Sequence, residues 1–211
     1  MPQDAAGLRA FALNCSLRNS ASDAPSSTDR MIDDLMDALR PHGVTGTTER
    51  VVDHDVKPGV FSDMGDGDAW PRLREHIMAA DIFILGTPIW LGQPSSVARR
   101  VLERMDAFLG EADEHNRMPA VGKVALVAVV GNEDGAHISH ATSFQALNDV
   151  GFTIPANGGV YWVGEAMQGR NYVDLEQIPD PLQSTLATAA SNAAHLARLL
   201  KQQAFPGVPA T

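Results

Sequence analysis

The chain has 211 residues, 44% of them hydrophobic, which suits a single domain over residues 1–211 with a full apolar core. With 26 acidic against 16 basic residues the formal net charge is -10, which disfavours a general affinity for nucleic-acid backbones or anionic membrane surfaces. One cysteine, Cys15, excludes an intrachain disulfide and a cysteine-ligated iron–sulfur cluster, and makes a reducing cytoplasm the expected compartment.

Residues 1–19 lack a basic leader followed by a long apolar run, so no export signal is expected. Residues 8–14 are mostly apolar and then break into small polar residues, the pattern of a buried first strand feeding a binding loop. The sequon Asn14-Cys15-Ser16 falls at that strand end and reads as chance. Met31, Ile32, Leu35, Met36 and Leu39 share one helical face, which predicts a helix from Thr28 to the stop at Pro41-His42-Gly43. Residues 47–52 form a weak outer strand, residues 53–68 a Gly- and Asp-rich loop, and Pro71 opens a helix to Ala80. The continuous apolar run at residues 81–86 is the clearest buried strand. After it, Ser95 or Ser96 caps a helix whose Val97, Val101, Leu102, Met105, Phe108 and Leu109 share a face. Residues 121–130, Lys123 excepted, predict another buried strand, followed by a helix at 137–150. Strand candidates remain at 152–154 and 159–163, and residues 182–203 form a last helix with a stripe of Leu182, Leu186, Ala189, Ala193, Leu196 and Leu200. That stripe serves equally as a dimer seam or as a cover for the sheet. Strands alternating with helices imply right-handed βαβ units, so the expected fold is α/β: a flavodoxin-like, doubly wound, five-stranded parallel sheet of order 2-1-3-4-5.

In such a sheet ligands bind outside the carboxyl ends of the strands. Three segments lie there. The first runs from Cys15-Ser16-Leu17-Arg18 to Ser26-Ser27-Thr28. Hydroxyls and a cation at a helix start suit a phosphate monoester, although a plain polar loop with Thr28 as N-cap fits equally well. Neither a Walker triplet nor a dinucleotide glycine fingerprint is present. The second segment is Gly86-Thr87-Pro88-Ile89-Trp90-Leu91-Gly92, in which Trp90 offers a π-face and Gly92 allows close backbone approach to a planar ligand. Trp90 as a core or interface aromatic is the alternative. The third, Gly131-Asn132-Glu133-Asp134-Gly135, supplies permissive backbone and amides for a ring edge, or is an ordinary turn. Taken together, the three loops suit a phosphorylated flavin.

These segments, with Gln93-Pro94-Ser95-Ser96 after the second and Ala136-His137 after the third, resemble the flavodoxin-like NAD(P)H-dependent FMN reductase family over residues 8–162. The resemblance implies that Ser16, Arg18, Ser27 and Thr28 take the FMN phosphate, and Ser26 offers a further hydroxyl at the same place. It implies that Pro88, Ile89, Trp90, Leu91 and Gly92 line the ring and ribityl chain and that Gly131, Asn132, Glu133, Asp134 and Gly135 close the other edge; Thr87, which sets the turn of the second segment, and His137 are further expected pocket contacts. Cys15 replaces the small residue usual before the first serine, and residues 20–25 resemble an insertion. An iron–sulfur branch of the family needs cysteines where residues 56–68 have none.

Asp63, Asp66 and Asp68 read as a solvated acidic loop, because Arg74 stands where an EF-hand needs its glutamate. His137 and His140 are spaced for a metal but lack a carboxylate partner, so no metal is expected. Cys15 is a packing thiol or a redox group, and Tyr161 and Trp162 reach the pocket or the core. The expected activity is hydride transfer from NADPH or NADH through FMN to a flavin, quinone or other small acceptor, with no catalytic acid or base. A flavodoxin-type electron carrier and a regulatory flavin-binding protein are the alternatives, and a homodimer or higher homo-oligomer is compatible with each.

Overall fold

A computed structural model describes residues 7–208; the extreme amino end, over which no export signal was expected, lies outside the described residues at positions 1–6. The strands are β1 (Leu8–Asn14), β2 (Val44–Arg50), β3 (Ile82–Trp90), the two-residue β4 (Gln93–Pro94), β5 (Val124–Val130) and β6 (Gly159–Trp162). The helices are α1 (Ser27–Leu39), α2 (Trp70–Ala79), α3 (Ser96–Met105), α4 (Ala136–Asp149) and α5 (Asp180–Gln202). The main sheet runs β2-β1-β3-β5-β6 with every neighbouring pair parallel, while β4 folds back antiparallel on the end of β3. This is the flavodoxin-like order, its switch point lying between β1 and β3.

Alternation along each strand divides the core into two layers. Phe11 and Leu13, Phe83 and Leu85, and Ala125, Val127 and Val129 pack with α2, α3 and α4. Ala10 and Ala12, Ile82 and Ile84, and Val124, Leu126 and Ala128 pack with α1 and α5. Leu182, Leu186, Ala189, Ala193 and Leu200 of α5 are buried in that second layer, so the apolar stripe covers the sheet.

Four expectations are corrected. Ser26 caps α1, its side chain accepting from the Asp29 amide, so Thr28 lies inside the helix. The outer strand occupies Val44–Arg50, because Val44 anchors it in the α1 layer while Val51 turns into the opposite layer within a short 3₁₀ turn. β3 continues through Trp90 because Thr87 and Pro88 stay in register with Val129 and Val130. Residues 152–154 make one isolated bridge, Val124 with Thr153, and no strand.

Candidate functional site

The site grows from the way α1 sits on the sheet. A Cβ on Gly86 would lie 2.5 Å from Cδ1 of Ile32 and 3.3 Å from Cγ2 of Thr28, so glycine lets the first turns of α1 rest on β3. The amino end of α1 thereby stands over the crevice between β1 and β3. A cavity of about 680 Å³ opens there. It takes in Ser16, Arg18, Ser26, Ser27 and Thr28 of the first segment, Pro88, Ile89 and Trp90 of the second, and Gly131, Asn132 and Glu133 of the third.

Buried Asn14 organises the first loop. Its Oδ1 accepts the Ser16 amide at 2.8 Å, and its Nδ2 donates to the Asp29 carboxylate. Arg50, arriving from the end of β2, donates to the other Asp29 oxygen and to the carbonyls of Arg18 (3.2 Å) and Asn19 (2.8 Å). Asp29 is thus paired with a cation rather than left to repel an anion at the helix start. The amides of Ser27 and Thr28, the Thr28 hydroxyl and the Arg18 guanidinium have no hydrogen-bond partner among the described residues. A pair of amides and a hydroxyl at one helix start, with an unpaired cation lining the same cavity, form a donor set for a phosphate. Cys15, directly before this loop, is fully buried, and burial pushes its thiol far up, so it stays a neutral packing group.

In the second segment the side chains part company. Thr87 is buried and points away from the cavity: its Oγ1 accepts the Ser95 amide and donates to the Pro88 carbonyl, both at 3.0 Å. Trp90 is 53% exposed and lines the cavity, which removes the core alternative. Leu91 and Gly92 form the β3–β4 turn, both at positive φ (51° and 74°), with the Leu91 side chain 93% exposed. The third loop clasps this turn, Glu133 accepting the Leu91 amide at 3.1 Å. Gly135 has φ 129°, and a Cβ there would lie 2.6 Å from Cα of Gly92. Gly135→Ala is therefore expected to part the two loops and destabilise the fold by about 1–3 kcal/mol, the range for backbone strain and overpacking. A melting temperature equal to that of the parent would refute the close packing.

Gly92, Asp134, Gly135 and His137 line a second, adjoining depression of about 490 Å³ with Tyr161, whose hydroxyl lies 3.2 Å from His137 Nε2. His140 is buried, stacked on Phe144 at 5.3 Å and edge-on to Tyr161 at 5.7 Å. Trp162 packs inward on Tyr172. Among the described residues no group of three or more His, Cys, Asp or Glu could hold a metal ion. The reading of residues 63–68 as a solvated acidic loop is corrected at Asp68, which is fully buried against Arg104.

One wall of the main cavity had no counterpart among the expected residues. Asn171, Tyr172, Val173 and Asp174 form it, and Leu17, Ala24, Pro25 and Val130 complete the lining of the cavity. Asn171 and Asp174 form a capping box around the 3₁₀ turn at Tyr172–Asp174. That Asn-x-x-Asp spacing was the local signal for a turn, but nothing local says where the turn lands.

The protein family described as NADPH-dependent FMN reductase matches residues 8–168. An 8-demethyl-8-aminoriboflavin-5'-phosphate synthase of Streptomyces davaonensis is 31% identical over 94% of this chain and 80% of its own length. The crystal structure of RosB with a bound 8-demethyl-8-formylriboflavin-5'-phosphate intermediate superposes with a TM-score of 0.84 at 31% identity, over 94% of this chain and 82% of that one. A divalent metal cation transporter, MntH, of Mycobacterium bovis is 37% identical over 80% of this chain, which spans only 25% of that protein. No helix among the described residues is long and apolar enough to cross a membrane. With the sheet order, the loops at its carboxyl edge and a family match over most of its length, the chain belongs to the NADPH-dependent FMN reductase family.

Proposed function

We propose that the protein is an FMN-dependent oxidoreductase that takes reducing equivalents from NADPH or NADH and delivers them to a flavin, a quinone or another small acceptor. The observation that carries this reading is a phosphate-type donor set and a half-exposed aromatic in one cavity: the free amides of Ser27 and Thr28 with Arg18, and Trp90. FMN held there supplies hydride acceptance and onward electron transfer. The chain's own residues bind and orient. The start of α1 and Arg18 hold the dianion, Asn14, Asp29 and Arg50 keep that loop in shape, and Pro88, Ile89 and Trp90 give an apolar wall beside the Gly131–Asn132 backbone. Exposed Leu17, Trp90 and Leu91 at the rim suit a planar acceptor. No side chain is assigned as acid or base. The single buried Cys15 suits a reducing cytoplasm.

Anaerobic mixing of the flavin-loaded protein with each nucleotide tests the reading. Rapid bleaching of flavin absorbance by NADPH or NADH alone is expected, whereas an electron carrier would stay oxidised until a partner reductase was added. A second reading is supported by the 31% identity to the Streptomyces synthase: the flavin phosphate is itself the substrate and is altered on its ring. A changed mass of the recovered flavin after turnover would favour it. Arg18→Ala and Thr28→Val are each expected to weaken FMN binding by about 1–3 kcal/mol, the scale of a hydrogen bond to a charged group, while sparing riboflavin. Equal losses for both ligands would move the phosphate elsewhere.

A further inference from the structure

The unforeseen wall of the cavity is tied to α1 more firmly than a surface turn requires. Arg30, in α1, donates from one guanidinium nitrogen to the carbonyls of Tyr172 (3.0 Å), Val173 (3.2 Å) and Leu175 (2.6 Å). Its guanidinium carbon also stands 5.1 Å over the Tyr172 ring. Asp34, one helical turn on, pairs with Arg30 at 3.8 Å and accepts the Tyr172 hydroxyl. Tyr172 is fully buried against Trp162, at 5.6 Å between ring centroids. Burial, reinforced by the Asp34 carboxylate, pushes its phenol up, so the hydroxyl remains a donor across the ordinary pH range. The Val173 amide donates to Ser27 Oγ at 3.2 Å, which sets the turn directly beside the two free amides of the helix start. The turn itself lies beyond the family match, which ends at 168, while Ser27, Arg30, Asp34 and Trp162 that hold it lie within the match.

We propose that the Asn171–Asp174 turn, clamped by Arg30, is the specificity element that confines this cavity to a flavin mononucleotide and shuts out a flavin adenine dinucleotide. The inference rests on the FMN reading above. A second phosphate and an adenosine have to leave the site past the first phosphate, and the backbone of Val173 occupies the space beside the helix start. Asp174 holds the turn in that place: its carboxylate accepts the amide and the side chain of Asn171, both at 3.0 Å, closing the capping box. Exclusion by a fixed backbone discriminates against the larger ligand without weakening the smaller one.

The test is calorimetric titration of the full-length apoprotein with FMN and with FAD, for the parent, Arg30→Met and Asp174→Ala. The parent should prefer FMN by about 100-fold or more, and each variant should bind FAD at least about tenfold better while FMN affinity stays level or falls. Opposite movements of the two ligands are the signature, because a merely structural defect weakens both together. A parent that binds no FMN would sink the FMN reading itself. A parent that binds FMN, with variants whose FAD-to-FMN ratio is unchanged or whose affinities fall in parallel, would overturn the wall. Should Arg30→Met fail to fold, Asp174→Ala decides alone, since that side chain is exposed and its loss opens only the capping box of the turn.

Discussion

Asp68→Asn is expected to destabilise the protein by about 3–5 kcal/mol, the scale for stripping one partner from a buried ion pair. Asp68 and Arg104 of α3 pair at 2.8 Å with both side chains fully buried. Arg104 also donates to the carbonyls of Lys57 (2.8 Å) and Phe61 (2.8 Å), and Asp68 accepts the amides of Met64 (2.9 Å), Trp70 (3.1 Å) and Lys57 (3.2 Å). The pair is therefore the internal scaffold of the loop between β2 and α2, doing by charge what an apolar cluster does elsewhere. Burial alone would raise the Asp68 carboxyl; the guanidinium and the three amides outweigh it and hold the group well below the usual carboxylate range. Asparagine keeps the shape but leaves Arg104 as an uncompensated buried cation. Urea denaturation checks this, and a loss under about 1 kcal/mol would mean that the cation is solvated. The loop lies away from the cavity, so FMN affinity of the folded fraction should be unchanged.

Lowering the pH from about 6.5 to about 4 is expected to remove up to about 3 kcal/mol of stability through His140 alone, at roughly 1.4 kcal/mol per unit of displacement. Burial holds the His140 imidazole down at about 4, against an ordinary value of 6.5. Among the described residues the Nε2 atom has no hydrogen-bond partner, and the ring is stacked on Phe144; the backbone of Val160 and Val127 favours a proton on the ring, but burial outweighs it. Its folded value is depressed; between the two values the unfolded chain takes up a proton that the folded chain refuses. The contribution is fully present above 6.5 and is lost as the pH falls toward 4. His140→Phe should keep the stack and flatten this part of the stability profile. Asp68, also depressed, acts in a separate window that begins below the ordinary carboxylate value of 3.8. An identical slope between pH 6.5 and 4 in parent and variant would assign the loss to other groups.

Much of the lining of the cavity was legible because its parts are local. A buried run such as residues 81–86, followed by a proline, an aromatic and a glycine, announces a strand end wherever it is placed, and βαβ handedness then brings three such ends to one edge. The missing side chain at Gly86 is likewise a local feature, whereas the helix start read at Thr28 lies at Ser27, with Ser26 as its cap. Thr87 shows the limit. Its position within the motif predicted a ligand contact, but β3 keeps its pleat through Pro88, and alternation turns the hydroxyl inward to Ser95.

What the sequence by itself determined is the order of strands and helices, the two-sided apolar core and the three loops at its carboxyl edge, because hydrophobic period and turn chemistry act over a few residues. Only the tertiary structure decided which polar groups find each other. Arg30 meets the Tyr172 carbonyl across 142 positions and Arg104 meets the Phe61 carbonyl across 43, and neither partner leaves a mark in the other's neighbourhood. A charged residue on a helix looks the same in sequence whether it faces water or clamps a distant turn. Its role follows from where the chain returns, which is set by the packing of whole layers, and in this protein that return supplies the fourth wall of the cavity.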